Sequence, residues 1–350
     1  MGADAGGRPL KRRDYDEEDV RVRPGKGSRP RTRRRPTHED AVEAFVVAVD
    51  RGRYTCLVGA EIAGPPARRR GPAPVEVTAM KARELGRKGI VVGDRVGLVG
   101  DHSGRPDTLA RIVRVEPRTS MLRRSADDND EVERPIVANA DQLVIVTALA
   151  DPPPRPRMIE RLLVAAFDAD IEPLLCLTKA DLAAPDELVA RYAPLGVPHV
   201  VVRRNGDLTG VRDRLAGRLS VLVGHSGVGK STMVNALVPD AGRAVSHVNA
   251  VTGRGRHTSS SAVALELPGG GWIIDTPGVR SFGLGHVVTD NVLAAFPDLA
   301  EGAVRCPKGC THRGPDCSLD AWVAEGHADP LRLATLRRLL ASRDGAADDD

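Results

Sequence analysis

The chain has 350 residues, a net charge of +4 and 41% hydrophobic residues, which allows two or three packed domains and excludes a wholly disordered protein. Aromatic residues are only 3%, so the cores must be built from Val, Leu, Ile and Ala. The N-terminus lacks the apolar segment of a secretory leader, and the longest apolar run, near 143–150, is far below the ~20 residues of a membrane-spanning helix; a soluble, cytoplasmic protein with no membrane partner is expected.

Charge is uneven along the chain. Residues 1–37 hold 12 Lys/Arg against 6 Asp/Glu and finish on RPRTRRRP. The stretch 1–38 has no apolar periodicity and reads as a disordered basic tail, either solubilising or an arm for nucleic-acid phosphates. From 39 to 118 come short apolar runs separated by Gly and Pro: AFVVAV, YTCLV, VEVTAM, GIVVGDRVGLV and TLARIVRVE. About five such strands suit a small barrel of the OB type, expected here to bind RNA. An SH3-like barrel fits the same periodicity. The polar stretch PRTSMLRRSADDNDEVERP (117–135) reads as a linker.

Over 119–285 the pattern changes to buried strands alternating with helices. QLVIVTAL is a continuous apolar strand, followed by a helix with apolar positions at Ile159, Leu162, Leu163 and Ala166. PLLCLT, a helix near 185–193, HVVVR, LSVLVG, the helix KSTMVNALV and the strand in GGWIIDTPG complete a doubly wound, mostly parallel α/β sheet. From 286 to 345 the chain turns helical. Thr289 is expected to cap one helix, and Asp329 with Pro330 to open the last, whose apolar stripe is Leu331, Leu336, Leu339 and Leu340. Residues 346–350 read as a frayed tail. Cys56 and Cys176 lie in apolar strands and are taken as packing residues.

GHSGVGKS (224–231) fits the phosphate-loop pattern and sits between a strand and a helix, the setting that pattern requires. Glycines let backbone N–H groups turn toward phosphates, and the helix N-terminus adds positive potential. The expected ligand shell is Gly224, His225, Ser226, Gly227, Val228, Gly229, Lys230, Ser231 and Thr232. Lys230 would bridge the β- and γ-phosphates and Ser231 would hold Mg²⁺. In DTPG, Asp275 would join the Mg²⁺ shell and the Gly278 N–H would meet the γ-phosphate. Thr178, Lys179 and Asp181 of TKAD would read guanine. An ionised Asp181 accepts from N1–H and the 2-amino group, a donor pair adenine lacks.

The base loop precedes the phosphate loop. That order is the order of a circularly permuted GTPase, in which the γ-phosphate-sensing loop leads straight into the C-terminal region. VTGRGRHTSSS (251–261) has the character of a switch loop. Thr258 is the expected Mg²⁺ and γ-phosphate ligand, with Ser259 as the alternative. Val279 stands where a water-orienting Gln is usual, so His257 is the nearest group able to position water, or else a surface side chain contacting RNA or solvent.

Cys306, Cys310, His312 and Cys317 supply three thiolates and an imidazole in a turn-rich segment. This donor set predicts a closed, structural Zn²⁺ site.

Together, VVGDRV, PRTSMLRR, ANADQLVIV, TKADL, GHSGVGKS, GRGRHT, DTPGVRSFGL and the Cys-Cys-His-Cys cluster resemble the ribosome small subunit-dependent GTPase A (RsgA) family over nearly all of 40–345. The resemblance implies an OB domain, a permuted GTPase domain and a zinc domain. It also implies GTP hydrolysis to GDP, stimulated by the small (30S) ribosomal subunit during its late maturation, with 16S rRNA as the contact and a monomeric protein. The alternative is an RNA-binding protein that keeps guanine nucleotide as a structural ligand with little turnover. Thr178 replaces the family's Asn, a change expected to weaken a bond tying the base loop to the rest of the pocket. The zinc loop is one residue shorter on each side of the Cys-x-His pair than the resemblance leads one to expect.

Overall fold

A computed structural model describes residues 38–50, 52–60, 62, 73–86, 89–124, 134–239, 241, 262–276, 284 and 286–343. The tail 1–37, His257, Thr258, Ser259, Gly278, Val279 and residues 344–350 lie outside the described residues.

Five strands, β1 (Val42–Asp50), β2 (Arg53–Val58), β3 (Val75–Lys81), β4 (Arg95–Gly100) and β5 (Ala110–Val115), close into a barrel. The pairs β1–β2, β2–β3, β4–β5 and β1–β4 are antiparallel, and β3–β5 is parallel. That parallel pair and the return of β4 to β1 are OB topology and set aside the SH3-like alternative. Strand β1 is a near-continuous apolar run because both its faces are covered. Ala44 and Val46 enter the barrel core, while Phe45 and Val47 enter the core of the neighbouring sheet. There Phe45 meets Trp272 edge-to-face at 5.2 Å.

The stretch read as a linker is partly ordered: β6 (Met121–Arg124) pairs antiparallel with β7 (Arg134–Ala138). Its polar residues conceal a tether. Arg118 donates to both oxygens of the fully buried Asp94 at 2.7 and 2.8 Å, and to the Gly89 carbonyl at 2.6 Å. Gly93 is required at its position: φ is 94°, and a Cβ there would collide with the Ala138 carbonyl oxygen at 2.0 Å.

The α/β sheet contains β8 (Gln142–Ala148), β9 (Glu172–Thr178), β10 (His199–Val201), β11 (Leu219–Val223), β12 (Val263–Glu266) and β13 (Trp272–Asp275). Their order is β10-β9-β8-β11-β13-β12, parallel except for β12, and β12 joins β1 through Ala48 and Val263. Four helices belong to this part: α1 (Pro156–Asp168), α2 (Asp186–Tyr192), α3 (Thr209–Leu215) and α4 (Lys230–Leu237). Side chains alternate between faces along each strand. Leu143, Ile145, Leu175 and Val221 pack with α1, whereas Val144, Val146, Leu174 and Leu222 pack with α3 and α4.

Four more helices follow: α5 (Thr289–Ala294), α6 (Pro297–Ala303), α7 (Leu319–Ala324) and α8 (Pro330–Arg343). They have no core of their own. Phe296, Leu299, Leu336, Leu339 and Leu340 join the α1 cluster. Buried Glu160 of α1 pairs with Arg191 of α2 at 3.0 Å and with Arg338 of α8 at 2.8 Å.

Two expectations fail here. Val288, not Thr289, takes the cap position of α5, because the Thr289 hydroxyl is engaged by Arg343. Leu331 is 63% exposed, and Leu333 replaces it in the stripe with Leu336 and Leu340, at the i, i+3, i+7 spacing that faces α1. Asp329 does cap α8, its Oδ1 accepting from the Leu331 N–H at 2.7 Å.

Candidate nucleotide site and metal centre

The phosphate loop leaves the buried strand β11 and enters α4 at Lys230. Its three glycines are there for backbone reasons. Gly227 and Gly229 have φ of 83° and 96°. A Cβ at Gly224 would lie 2.2 Å from the Val146 carbonyl oxygen. The Lys230 ammonium donates to the carbonyls of Gly224 and His225, the latter at 3.2 Å. His225 Nδ1 lies 2.8 Å from the Ser226 carbonyl, Val228 is buried, and Ser231 is exposed.

Asp275 ends β13, far from Lys230 in sequence but within its electrostatic reach. Burial pulls the Lys230 ammonium below the ordinary lysine value, with Asp275 opposing. Burial likewise raises the Asp275 carboxyl, with Lys230 opposing. Two half-buried opposite charges at the end of one sheet suit a ligand that brings both anionic oxygens and a cation. Thr276 is buried and donates to the Leu222 carbonyl at 2.9 Å, fixing β13 against β11.

A cleft of about 430 Å³ opens beside this loop, lined by Thr178, Lys179, Asp181, Gly227, Val228, Gly229 and Thr232 among others. The base loop and the phosphate loop therefore share one cavity. Buried Thr178 donates to the Val228 carbonyl at 2.6 Å. The link that replacement of Asn was expected to weaken is present, made by the single hydroxyl hydrogen. Lys179 adopts φ of 58° and its ammonium donates to the Asp151 carbonyl, laying its stem along the cleft. Asp181 Oδ1 accepts from the Arg204 N–H at 2.9 Å. That bond, aided by the charges of Arg204 and Arg203, holds the carboxyl below its usual range, so it is an anionic acceptor at neutral pH.

The far wall is the loop 203–206 after β10, which the sequence reading missed. Its signal was available: an Asn-Gly pair follows the strand HVV, and ligands of parallel sheets sit at the carboxyl ends of strands.

The Cys-His cluster lies between α6 and α7. Cys306 Sγ is 3.7 Å from His312 Nδ1 and 3.9 Å from Cys317 Sγ, and Cys317 Sγ is 3.8 Å from His312 Nδ1. All four donor atoms, including Cys310 Sγ, lie within 4.8 Å of one another. Tetrahedral bonds of about 2.3 Å to sulfur and 2.0–2.1 Å to nitrogen imply edges of roughly 3.5–3.8 Å, so the set fits one tetrahedral ion despite the shortened loop. Burial keeps His312 below its usual value, hence neutral and able to ligate. Arg337 of α8 donates to the His312 carbonyl at 3.0 Å and grips Asp320 through two bonds of 2.8 and 2.6 Å.

Among the described residues no helix is long and apolar enough to cross a membrane. The family model described as RsgA GTPase matches residues 115–285. A Pseudomonas aeruginosa protein named small ribosomal subunit biogenesis GTPase RsgA is 40% identical over 263 residues, covering 72% of this chain and 76% of its own. The protein of that name from Pseudomonas syringae pv. tomato is 37% identical over 288 residues, 77% of this chain and 82% of its own. The crystal structure of YjeQ from Thermotoga maritima aligns with a TM-score of 0.61 at 23% identity, covering 87% of this chain and 99% of that one. YloQ, described as a circularly permuted GTPase, aligns at 0.60 and 20% identity, covering 91% and 100%. At those identities the likeness to both structures is one of fold. The reversed loop order, the shared cleft and the 40% identity across 72% of the chain lead to one conclusion: this chain belongs to the RsgA family of GTPases and is a GTP hydrolase.

Proposed function

We propose that this GTPase acts in biogenesis of the small ribosomal subunit, hydrolysing GTP during late maturation with the subunit as its stimulating partner. The relatives named for that role support the reading, since their sequences align with this chain beyond the nucleotide domain. The single observation that best supports the nucleotide assignment is the Thr178–Val228 bond, which joins the segment carrying Asp181 to the loop 224–232 beside one cleft.

In this reading Asp181 accepts from the guanine N1–H and 2-amino groups, and the Lys179 stem lies over the base. Lys230 exchanges its loop carbonyls for the β- and γ-phosphates, and the loop 224–232 cradles them through backbone N–H groups. Ser231 and Asp275 would hold Mg²⁺, with Thr258 joining them, and the ion would supply charge neutralisation between the phosphates. Gly278 and His257 keep the roles assigned from sequence, contact to the γ-phosphate and positioning of water. Cys306, Cys310, His312 and Cys317 would hold one Zn²⁺ in a closed structural site.

The functional regions run as a basic tail (1–38), an RNA-binding barrel (39–118), a GTPase domain (119–285), a zinc-binding helical region (286–345) and a short tail. The barrel grips 16S rRNA mainly by arginine–phosphate contacts, since it carries few aromatic side chains for stacking. The protein works as a monomer in the cytoplasm.

Hydrolysis of GTP and ATP with and without purified small subunits tests the proposal. Strong stimulation confined to GTP is expected. Lys230→Ala should lower turnover by about 10²-fold or more, on the scale of a lost charge stabiliser. Equal stimulation of both nucleotides would refute Asp181 as the base reader. Turnover indifferent to subunits would refute the partner.

A further inference from the structure

The four donors of the Cys-His cluster come from one short segment, yet part of what aims them comes from outside it. His312 presents Nδ1 to the Cys306 and Cys317 thiols. Its backbone has φ of 59°, a left-handed conformation that few residues other than glycine adopt. Such a conformation persists only where its surroundings fix it. Both backbone polar groups of His312 are in fact held. Its N–H donates to Cys310 Sγ at 3.3 Å, and its carbonyl accepts from Arg337 Nε at 3.0 Å.

Arg337 belongs to α8, and all three of its guanidinium nitrogens are engaged. Beyond the His312 carbonyl, the fork closes on both oxygens of Asp320 at 2.8 and 2.6 Å. Asp320 lies in the first turn of α7, the helix that follows Cys317. One planar group therefore bridges the His312 turn and the Cys317 end of the segment. It also stands within electrostatic reach of the Cys317 thiol. Three thiolates around a divalent ion leave the centre net negative, and a guanidinium alongside offsets that charge.

We propose that Arg337 is a positioning residue of the metal centre: it clamps the His312 turn to the start of α7 so that His312 Nδ1 and the Cys317 thiolate meet one ion, which makes α8 part of the site. This rests on the metal reading of the cluster and adds an outer shell to it. A lysine cannot do the same work. Its ammonium is a point charge and cannot hold a carbonyl and both carboxylate oxygens in one plane.

Release of Zn²⁺ from the loaded full-length chain into excess chromogenic chelator tests this. Arg337→Ala should release the ion about tenfold faster than the parent or more, the usual scale of a lost outer-shell partner. Arg337→Lys keeps the charge without the fork and should also release it faster. Arg332→Ala is the comparator for the packing of α8 alone. Its guanidinium closes on both oxygens of Asp298 at 2.8 Å and bonds the Pro194 carbonyl, partners that lie outside 306–317. That variant should lower the unfolding midpoint yet release Zn²⁺ at the parent's rate. Asp320→Asn leaves the arginine in place but loosens its aim, and should speed release even if Arg337→Ala does not fold. Release at the parent's rate from Arg337→Ala or from Asp320→Asn overturns the proposal. So does an Arg332→Ala chain that loses Zn²⁺ as fast as Arg337→Ala, because retention would then follow only the stability of α8. A parent chain that takes up no Zn²⁺ overturns the metal reading itself, an outcome visible before any variant is made.

Discussion

The phosphate loop hangs between a fully buried strand and a helix, with glycines at positive φ and a lysine closed onto its own carbonyls. The segment from Cys306 to Cys317 has no strand beneath it, and four side chains converge from turns held by local bonds such as Cys310 N–H to the Pro307 carbonyl at 3.1 Å. One site is shaped by backbone that the sheet has already fixed. The other is shaped by side chains that converge from turns, a donor set that suits a shared ion. The first should therefore persist without its ligand, and the second should not.

The largest effect should come from removing a ligand of the proposed metal site. Cys317→Ser, or chelation, should release one metal ion per chain and unfold the α6–α7 region, a loss of up to about 10 kcal/mol of binding coupled to folding. Metal analysis and thermal unfolding read this directly. Lys230→Ala, by contrast, should leave the unfolding midpoint within about 1 kcal/mol of the parent's stability. A cluster variant that unfolds like the parent would erase the contrast.

A smaller effect is expected at Thr178. Thr178→Val keeps the shape but leaves the buried Val228 carbonyl without its donor, a cost of about 1–3 kcal/mol. Calorimetry should show GDP binding weakened by roughly tenfold, with Thr178→Ser restoring it. Unchanged affinity would mean that the two loops are positioned by the sheet alone.

The smallest effect concerns Asp320. Its two bonds from Arg337 hold its carboxyl below the usual range. A depressed carboxyl stabilises the fold above its unfolded value and loses that contribution as pH falls through the folded one. Asp320→Asn should thus be slightly less stable than the parent at neutral pH, and the difference should begin to shrink as pH falls below about 4, vanishing only below the depressed folded value. Unfolding curves at several pH values check it; a difference persisting in acid would detach Asp320 from the Arg337–His312 anchor.

The two sites also differed in how far the sequence disclosed them. The phosphate loop and the Cys-His cluster are local patterns, readable because their residues are near neighbours in the chain. So were the strand–helix alternation and the buried positions of α1, set by periodicity. What stayed hidden depends on residues distant in sequence. OB and SH3-like barrels parted only at the β3–β5 pairing and the return of β4 to β1. The Asp94–Arg118 tether sat inside a stretch that looked like a charged linker. The place of Arg203 and Arg204 showed only once β10 set their loop beside Thr178 and Asp181. Thr289 lost its capping role to a side chain from the far end of α8.

The seam at Ala48 and Val263 has one more consequence. An outermost strand exposes a row of unsatisfied N–H and C=O groups, a template on which stray chains can stack into aggregates. β12 would be such a strand. It abuts instead a cylinder with no free rim of its own, since β1 and β4 complete the circle. At the opposite margin the sheet stops on β10, only 3 residues long. Among the described residues these two margins of the large sheet leave little ribbon for another polypeptide to copy, a useful trait where strands come from distant stretches of chain.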